Sequence, residues 1–311
     1  MRTYTIPKLG HYTKFFVKAF RDLGLNVVHP PSVSSETNQH GILNSVEMMC
    51  WPYKATLGTL IKAIEDDTRA GTITDVITYS SQGQCRFRHY GNLYDLALSN
   101  LGHDIGFHIV RSGNIIRDIR RITGSSFFKV WRVVINTIKE IKRYEEEQEK
   151  KFAKGDMKIL LIGEIYTLLE PDVNFNLRQR LLDLGAGSRL ACTLSAFINS
   201  NVRGRRVRSA EAAKYIDKKV GGHGFQNIVH VLEEMHEVDG IIYVFPLSCM
   251  PEATVLPIIE HICKKNKKPI LKIEIDDNSS ELNILTRLEA FTETIRISKG
   301  ITGNAPRLQA V

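Results

Sequence analysis

Met157-Lys158-Ile159-Leu160-Leu161-Ile162-Gly163 decides the fold. It is an almost wholly apolar run closed by glycine, which is how a strand buried on both faces of a parallel sheet reads. Gly240-Ile241-Ile242-Tyr243-Val244-Phe245 reads as a second strand, and Pro269–Ile275 as another. Leu190–Leu194 is the weaker candidate for a strand between them. Helical periods fill the intervals, over Asn176–Leu184 (stopped by Gly185), Ala210–Lys219, Phe225–Met235, Glu252–Lys265 and Glu281–Ile297. Strand and helix in alternation predict a parallel sheet covered on both faces.

Upstream, the same alternation has already run once. Tyr4–Pro7 and Asn26–His29 read as strands around a helix from Lys14 to Leu23, in which Phe15, Phe16, Ala19, Phe20 and Leu23 recur at helical spacing. Ser32–Gly41 is polar and reads as a loop, and a helix opens at Leu57. Asp75–Tyr79 and Gly106–Val110 are further strands, with a helix over Tyr90–Leu101 between them. Ser125 to Lys154 differs. Phe127, Phe128, Val130, Trp131, Val134, Ile135, Ile138 and Ile141 keep a helical period, and the far end, Tyr144–Lys151, is wholly polar. We read it as a long connecting helix, broken by Gly155-Asp156. The expected organisation is an N-terminal α/β domain over 1–125, the helix over 126–155 and a C-terminal α/β domain over 156–311, facing each other across the helix.

A chain of 311 residues with 43% hydrophobic content has material for two cores. The opening Met1–Pro7 has no apolar run behind it, so no secretory signal is expected, and no stretch is long enough to span a membrane. The net charge of +8 favours anionic partners such as a nucleotide-bearing thioester or an acidic protein. No nucleic-acid recognition motif accompanies it, so nucleic acid is not expected. Arg203–Arg208 is the one dense basic patch; a solvated loop explains it, with a nucleotide diphosphate as the alternative ligand. Leu184–Ser188 follows a helix instead of opening one and reads as a helix stop, and no phosphate-binding loop is present, so ATP hydrolysis is not expected.

Five scattered cysteines argue against a disulfide framework and for a reducing cytoplasm. Cys50, Cys85 and Cys249 each follow a strand or helix end, in Cys50-Trp51-Pro52-Tyr53-Lys54, Gln84-Cys85-Arg86-Phe87 and Pro246-Leu247-Ser248-Cys249-Met250-Pro251-Glu252. Three thiolates on loops can hold a metal cluster and leave a fourth position open. Cys192, inside an apolar stretch, and Cys263, within a helix, read as small buried hydrophobes. Zinc, with His89 or His223 as fourth ligand, is the competing metal.

These motifs carry a resemblance. Cys50-x-Pro52-x-Lys54 and Gly83-Gln84-Cys85-Arg86-Phe87-x-x-Tyr90-Gly91 resemble the 2-hydroxyacyl-CoA dehydratase family. Gly163-Glu164-Ile165-Tyr166, Gly221-Gly222-His223-Gly224, Phe245-Pro246-x-x-Cys249-Met250-Pro251-Glu252 and Leu285–Phe291 continue the match in order, from residue 4 to about 297. The likeness is to the short stand-alone members, often labelled activase-related or CoA-substrate-specific enzyme activase proteins.

The resemblance implies two flavodoxin-like, Rossmann-like domains with the site in the cleft between them. It implies a 4Fe–4S cluster held by Cys50, Cys85 and Cys249, with one iron open to a substrate oxygen. It also implies a separate ATP-dependent activator ATPase of the acetate-kinase and actin type as electron donor. The expected function is a lyase or low-potential reductase component acting on an acyl-CoA or other small molecule, as a homodimer or heterodimer. The alternatives are a non-catalytic electron-transfer or accessory subunit with the same cluster, and a zinc-stabilised binding module. Glu164 and Tyr166, just past a buried strand, and His223, in a glycine turn, are the candidate catalytic residues, each with packing or turn formation as its ordinary explanation. Lys54 and Arg86 flank ligand cysteines and suit charge compensation or plain solvation. Glu252 is expected to start a helix, where a carboxylate suits the dipole.

Overall fold

The computed structural model of the chain describes residues 2–66, 73–81, 83–202, 209–217 and 220–301. The chain divides into two compact units, Met1–Arg143 with Leu194–Arg206 and Tyr144–Thr193 with Val207–Val311. Arg203–Arg208 and the last two residues of the helix expected over Ala210–Lys219 lie outside the described residues.

The first unit alternates β1 (Thr3–Thr5), α1 (Thr13–Asp22), β2 (Asn26–Val27), α2 (Ser35–Leu43), α3 (Trp51–Glu65), β3 (Asp75–Ser80), α4 (Tyr90–Asn100), β4 (Gly106–Arg111) and α5 (Ile115–Thr123). Its four strands are all parallel, in the order β2-β1-β3-β4, with Tyr4 opposite Asp75 and Val76 opposite Phe107. One core lies around α3, where Leu57, Leu60 and Ile61 pack with Val76, Tyr94 and Leu98. A second joins α1, α5 and the start of the long helix through Val17, Ile119 and Val130.

Helix α2 replaces the loop expected over Ser32–Gly41. It has almost no apolar stripe, so periodicity could not reveal it, but it carries a capping box. The Ser34 hydroxyl accepts from the Thr37 amide at 3.2 Å, and the Thr37 hydroxyl accepts from the Ser34 amide at 2.8 Å. What holds α2 is close backbone contact with α3. A Cβ on Gly41 would lie 1.9 Å from the Lys54 carbonyl oxygen, and one on Gly58 would lie 1.7 Å from that of Thr37. Only glycine allows this approach. The crossing fixes α3, which begins at Trp51, six residues earlier than the sequence pattern suggested, directly after Cys50.

The helix α6 (Phe127–Phe152) runs as expected, and the boundary between the units falls inside it. Val130, Val134 and Ile141 are buried, whereas Phe127, Phe128 and Trp131 are exposed. The second unit comprises β5 (Met157–Gly163), α7 (Ile165–Leu169), α8 (Leu177–Asp183) and β6 (Ala186–Leu190). Helix α9 (Leu194–Val202) returns to the first unit, after which come α10 (Gly224–Glu234), β7 (Gly240–Pro246), α11 (Met250–Lys265), β8 (Ile270–Ile275) and α12 (Glu281–Ser298). The sheet is again all parallel, in the order β6-β5-β7-β8.

The strand expected at Leu190–Leu194 is displaced to Ala186–Leu190. Gly185, at φ +77°, does stop α8, but the small residues behind it are themselves the strand, buried at Ala186 and Ser188. The described part of Ala210–Lys219 contains a single 3-10 turn, Ala212–Lys214. Both sheets follow the second-first-third-fourth order of flavodoxin-like doubly wound domains, so the expected fold class holds. In such sheets the order reverses beside the first strand, and ligands bind past the carboxyl ends there. The two reversal points lie between β1 and β3 and between β5 and β7.

Candidate functional site: three thiol-bearing turns and a buried carboxyl

Cys50, Cys85 and Cys249 share one local construction. Each sits in extended conformation at the N-cap position: Cys50 before α3, Cys85 before a 3-10 turn (Arg86–His89) that leads into α4, and Cys249 before α11. Each is preceded within two residues by a left-handed residue: Met48 at φ 61°, Gly83 at 88° and Ser248 at 64°. For Met48 and Ser248 that conformation carries strain, a feature that gathers at ligand-holding turns. Pro52 and Pro251 occupy the opening turn of α3 and α11, where a missing amide proton does no harm.

In the first unit Cys50 meets a buried phenol. Tyr90, the first residue of α4, is buried, and its hydroxyl lies 2.7 Å from Cys50 Sγ. Burial, with Cys50 and Cys85 both close, holds that hydroxyl firmly protonated. Tyr90 is fixed edge-on against Tyr53, which stacks on Tyr94 at 5.2 Å, and Tyr94 shares a 2.6 Å hydrogen bond with Thr56. The Arg86 guanidinium donates to the Met48 carbonyl and so ties the Cys85 turn to the Cys50 turn. Arg86 is therefore a strut between turns, which neither sequence explanation anticipated.

In the second unit three of the quoted motifs meet. Gly163, at φ +137°, ends β5 so tightly on β7 that a Cβ would lie 1.8 Å from the Val244 carbonyl oxygen. Its amide donates to Asn227 Oδ1 and its carbonyl accepts from Asn227 Nδ2, both at 3.2 Å. Asn227 Nδ2 also donates to Glu252 Oε2 at 2.8 Å, and the Tyr243 hydroxyl donates to the same oxygen at 2.6 Å. The Gly221–Gly224 turn lies on Pro251, whose Cγ would be 3.0 Å from a Cβ at Gly222. Asn227 thus joins the end of β5 to the first turn of α11.

Glu252 is 1% exposed. Burial pushes its carboxyl up to about 7, neighbouring Glu164 adds to the rise, and the Tyr243 and Asn227 hydrogen bonds oppose it. It does stand in the first turn of α11, as expected, but its side chain faces the core rather than the dipole. Tyr243 and Asn227 were not foreseen: one sits mid-strand and the other mid-helix, in positions that read as packing.

The three candidate catalytic residues are placed as follows. Glu164 caps α7, its carboxylate accepting from the Tyr166 amide at 3.0 Å, the Thr167 amide at 2.8 Å and the Thr167 hydroxyl at 2.8 Å. Burial raises its pKa despite these donors. Tyr166 is buried in the same short helix. His223 is buried at the N-cap of α10, and burial, with His230 nearby, pushes it down to about 4, so the ring is neutral at physiological pH. His89 is exposed.

None of the five cysteines is joined in a disulfide. Burial, with nearby carboxylates, pushes the Cys192 thiol up to about 12, and burial pushes Cys263 up to about 11. Among the described residues no group of three or more His, Cys, Asp and Glu side chains forms a ready metal cage. No helix among them is long and apolar enough to cross a membrane.

Fold and turns define a class: a protein with two flavodoxin-like parallel sheets that carries three thiols at the N-caps of helical turns. The family model HGD-D: 2-hydroxyglutaryl-CoA dehydratase, D-component, matches residues 121–295, more than half of the chain, and the chain belongs to that family. Glu164, His223, Cys249 and Glu252 fall inside the match, and Cys50 and Cys85 precede it. No curated protein matches the chain. Among solved structures, an ABC transporter substrate-binding protein from Listeria monocytogenes EGD-e is similar at 12% identity and a TM-score of 0.24, over 95% of this chain and 98% of that one. A mutation variant of SsGBP is similar at 14% identity and a TM-score of 0.21, over 95% and 87%. At these scores neither likeness bears on fold or function.

Proposed function

We propose that the chain is an iron–sulfur subunit of the 2-hydroxyacyl-CoA dehydratase kind, nearest to the short activase-related members, with Cys50, Cys85 and Cys249 as thiolate ligands of a 4Fe–4S cluster. The observation that carries this reading is the construction shared by the three turns, a left-handed residue, an extended cysteine and a helix start. The donor chemistry fits. Thiolates are the usual ligands of such clusters, and hydrogen bonds to sulfur tune their potential. Tyr90, whose hydroxyl lies 2.7 Å from Cys50 Sγ, is placed to donate one to a thiolate there. The raised Cys192 and Cys263 do not suit ligation, because the ligand is the thiolate.

A bound cluster supplies low-potential one-electron chemistry and a Lewis-acidic iron. The electron comes from an ATP-dependent activator ATPase, and the substrate is an acyl-CoA or another small molecule. The protein's own contribution in the second unit is proton handling. Glu252 Oε2 already accepts two hydrogen bonds, so the proton of the neutral acid belongs on Oε1. With its pKa near 7, the residue is suited to give and take that proton. A second reading, a non-catalytic electron-transfer subunit, draws support from Glu164, whose carboxylate is engaged in capping α7. Cysteines held outside disulfides suit a reducing cytoplasm on either reading.

The deciding experiment is iron, acid-labile sulfide and zinc content of anaerobically purified protein, alongside Cys50→Ala, Cys85→Ala and Cys249→Ala. About four irons and four sulfides per chain, lost in each variant, is the expected result. Stoichiometric zinc without iron would overturn it in favour of a zinc-stabilised module. A spectral change on adding acyl-CoA separates the catalytic reading from the electron-transfer one.

A further inference from the structure

The start of α6 departs from its sequence pattern. Phe127, Phe128 and Trp131 keep the helical period of the apolar residues of α6, yet they are 45%, 81% and 41% exposed. Phe127 stacks on Trp131 at 6.2 Å with planes 13° apart and meets Phe128 edge-on at 5.7 Å, which leaves a continuous aromatic surface. Aromatic groups clustered in this way mark binding surfaces rather than random exposure. Beside them runs a groove of about 320 Å³, with Ile115, Ile116 and Phe127 among its lining and Arg117 and Arg120 along it.

The rim is basic. Arg117, Arg120, Arg121, Lys129 and Arg132 are all exposed on α5 and the first turns of α6. The acid among them, Asp118, is buried and bound by both the Arg111 guanidinium and the Arg111 amide at 3.0 Å. The charge that would complement this face is therefore not on the face itself.

We propose that this surface docks an acidic segment of a protein partner, which places an apolar side chain in the groove and its carboxylates on Arg117 and Arg120. Aromatic anchors with arginines are the composition of binding hot spots, and arginine pairs carboxylates in two-pronged geometry. A second copy of this chain joined face to face would set like charges against each other. A bilayer presents a broad apolar plane, whereas the groove is concave and suits one inserted side chain. The proposal is independent of the thiol turns.

The chain contains two tryptophans, Trp51, which is buried, and Trp131, which is exposed, so emission reports this face directly. The probe is a helical peptide of leucine and glutamate about five turns long, with a leucine–glutamine peptide as control. We expect saturable binding of the acidic peptide with a blue shift of the emission. Arg117→Glu with Arg120→Glu should weaken it about tenfold or more, and Phe128→Ala should weaken it as well. Trp131→Phe should abolish the shift while calorimetry still detects binding. Absence of binding, equal binding of the glutamine peptide, or indifference to the charge reversal would overturn the proposal. So would preferential binding of phosphatidylserine vesicles or of oligothymidine, which would assign the face to a membrane or to nucleic acid.

Discussion

Cys50 Sγ and Tyr90 Oη are 2.7 Å apart, and the phenol is held there by ring contacts with Tyr53, Tyr94 and Phe87. A buried hydroxyl fixed against a thiol stabilises negative charge on sulfur, because it can donate and has nowhere else to turn.

Tyr90→Phe removes the donor and keeps the ring. In the metal-free protein we expect a loss of about 1 kcal/mol in urea denaturation, the worth of one buried hydrogen bond. In the iron-loaded protein, iron and sulfide should be retained and the reduction potential should fall, because the reduced, more negative state loses a donor. A rise in potential on electrochemical titration would count against the placement of sulfur beside Tyr90.

Glu252 makes stability depend on pH. Its folded pKa, about 7, lies above the ordinary carboxyl value of 4.5, so the folded chain binds the extra proton between those limits. Its contribution is fully present below about 4.5 and is lost as pH rises through 7, by at most ~3 kcal/mol. His223 has the opposite sign: lowered from 6.5 to about 4, it adds stability above 6.5 that is lost as pH falls toward 4. Glu252→Gln keeps an acceptor for Tyr243 and removes only the first slope. We expect the stability difference between wild type and Glu252→Gln to change across pH 4.5–7 and to be flat above pH 8, read by denaturation at a series of pH values.

Thiol chemistry should sort the cysteines. Cys85 is half-exposed, whereas Cys192 and Cys263 are buried with thiols pushed up to about 12 and 11. In metal-free protein at mildly alkaline pH, iodoacetamide should mark Cys85 first and leave Cys192 and Cys263 unmodified until unfolding. Peptide mapping by mass spectrometry gives the order.

Gly163→Ala should be severe. It places a Cβ 1.8 Å from the Val244 carbonyl oxygen at a backbone angle that only glycine adopts readily, and it disturbs the Asn227 bonds. A loss of more than about 3 kcal/mol is expected, seen as a lowered thermal midpoint or failure to fold.

Strands buried on both faces were legible in the sequence because their apolar runs have no other use; β5 and β7 fall close to where Met157–Gly163 and Gly240–Phe245 placed them. The edge strand β8, which exposes Lys272 and Glu274, also falls close to Pro269–Ile275, where apolar and charged residues alternate. Helix α2 and strand β6 were not, since one is held by a capping box and glycine contacts and the other is built from small residues. The cysteines stood out by their motifs, and their shared turn geometry could be half-guessed from the prolines that follow two of them. Glu252 illustrates the limit. Its position in a first helical turn predicts a solvent-facing carboxylate, and only the fold shows Tyr243 and Asn227 meeting it indoors.

The glycine crossing of α2 and α3 has a consequence for inherited variation. Because Gly41 and Gly58 bring backbone against backbone, any side chain there must push α3, and with it the turn that presents Cys50. Harmful substitutions will therefore not thin out smoothly with distance from the thiols. A second tier of intolerant positions should run along this helix pair, where a survey of tolerated replacements would show small residues only.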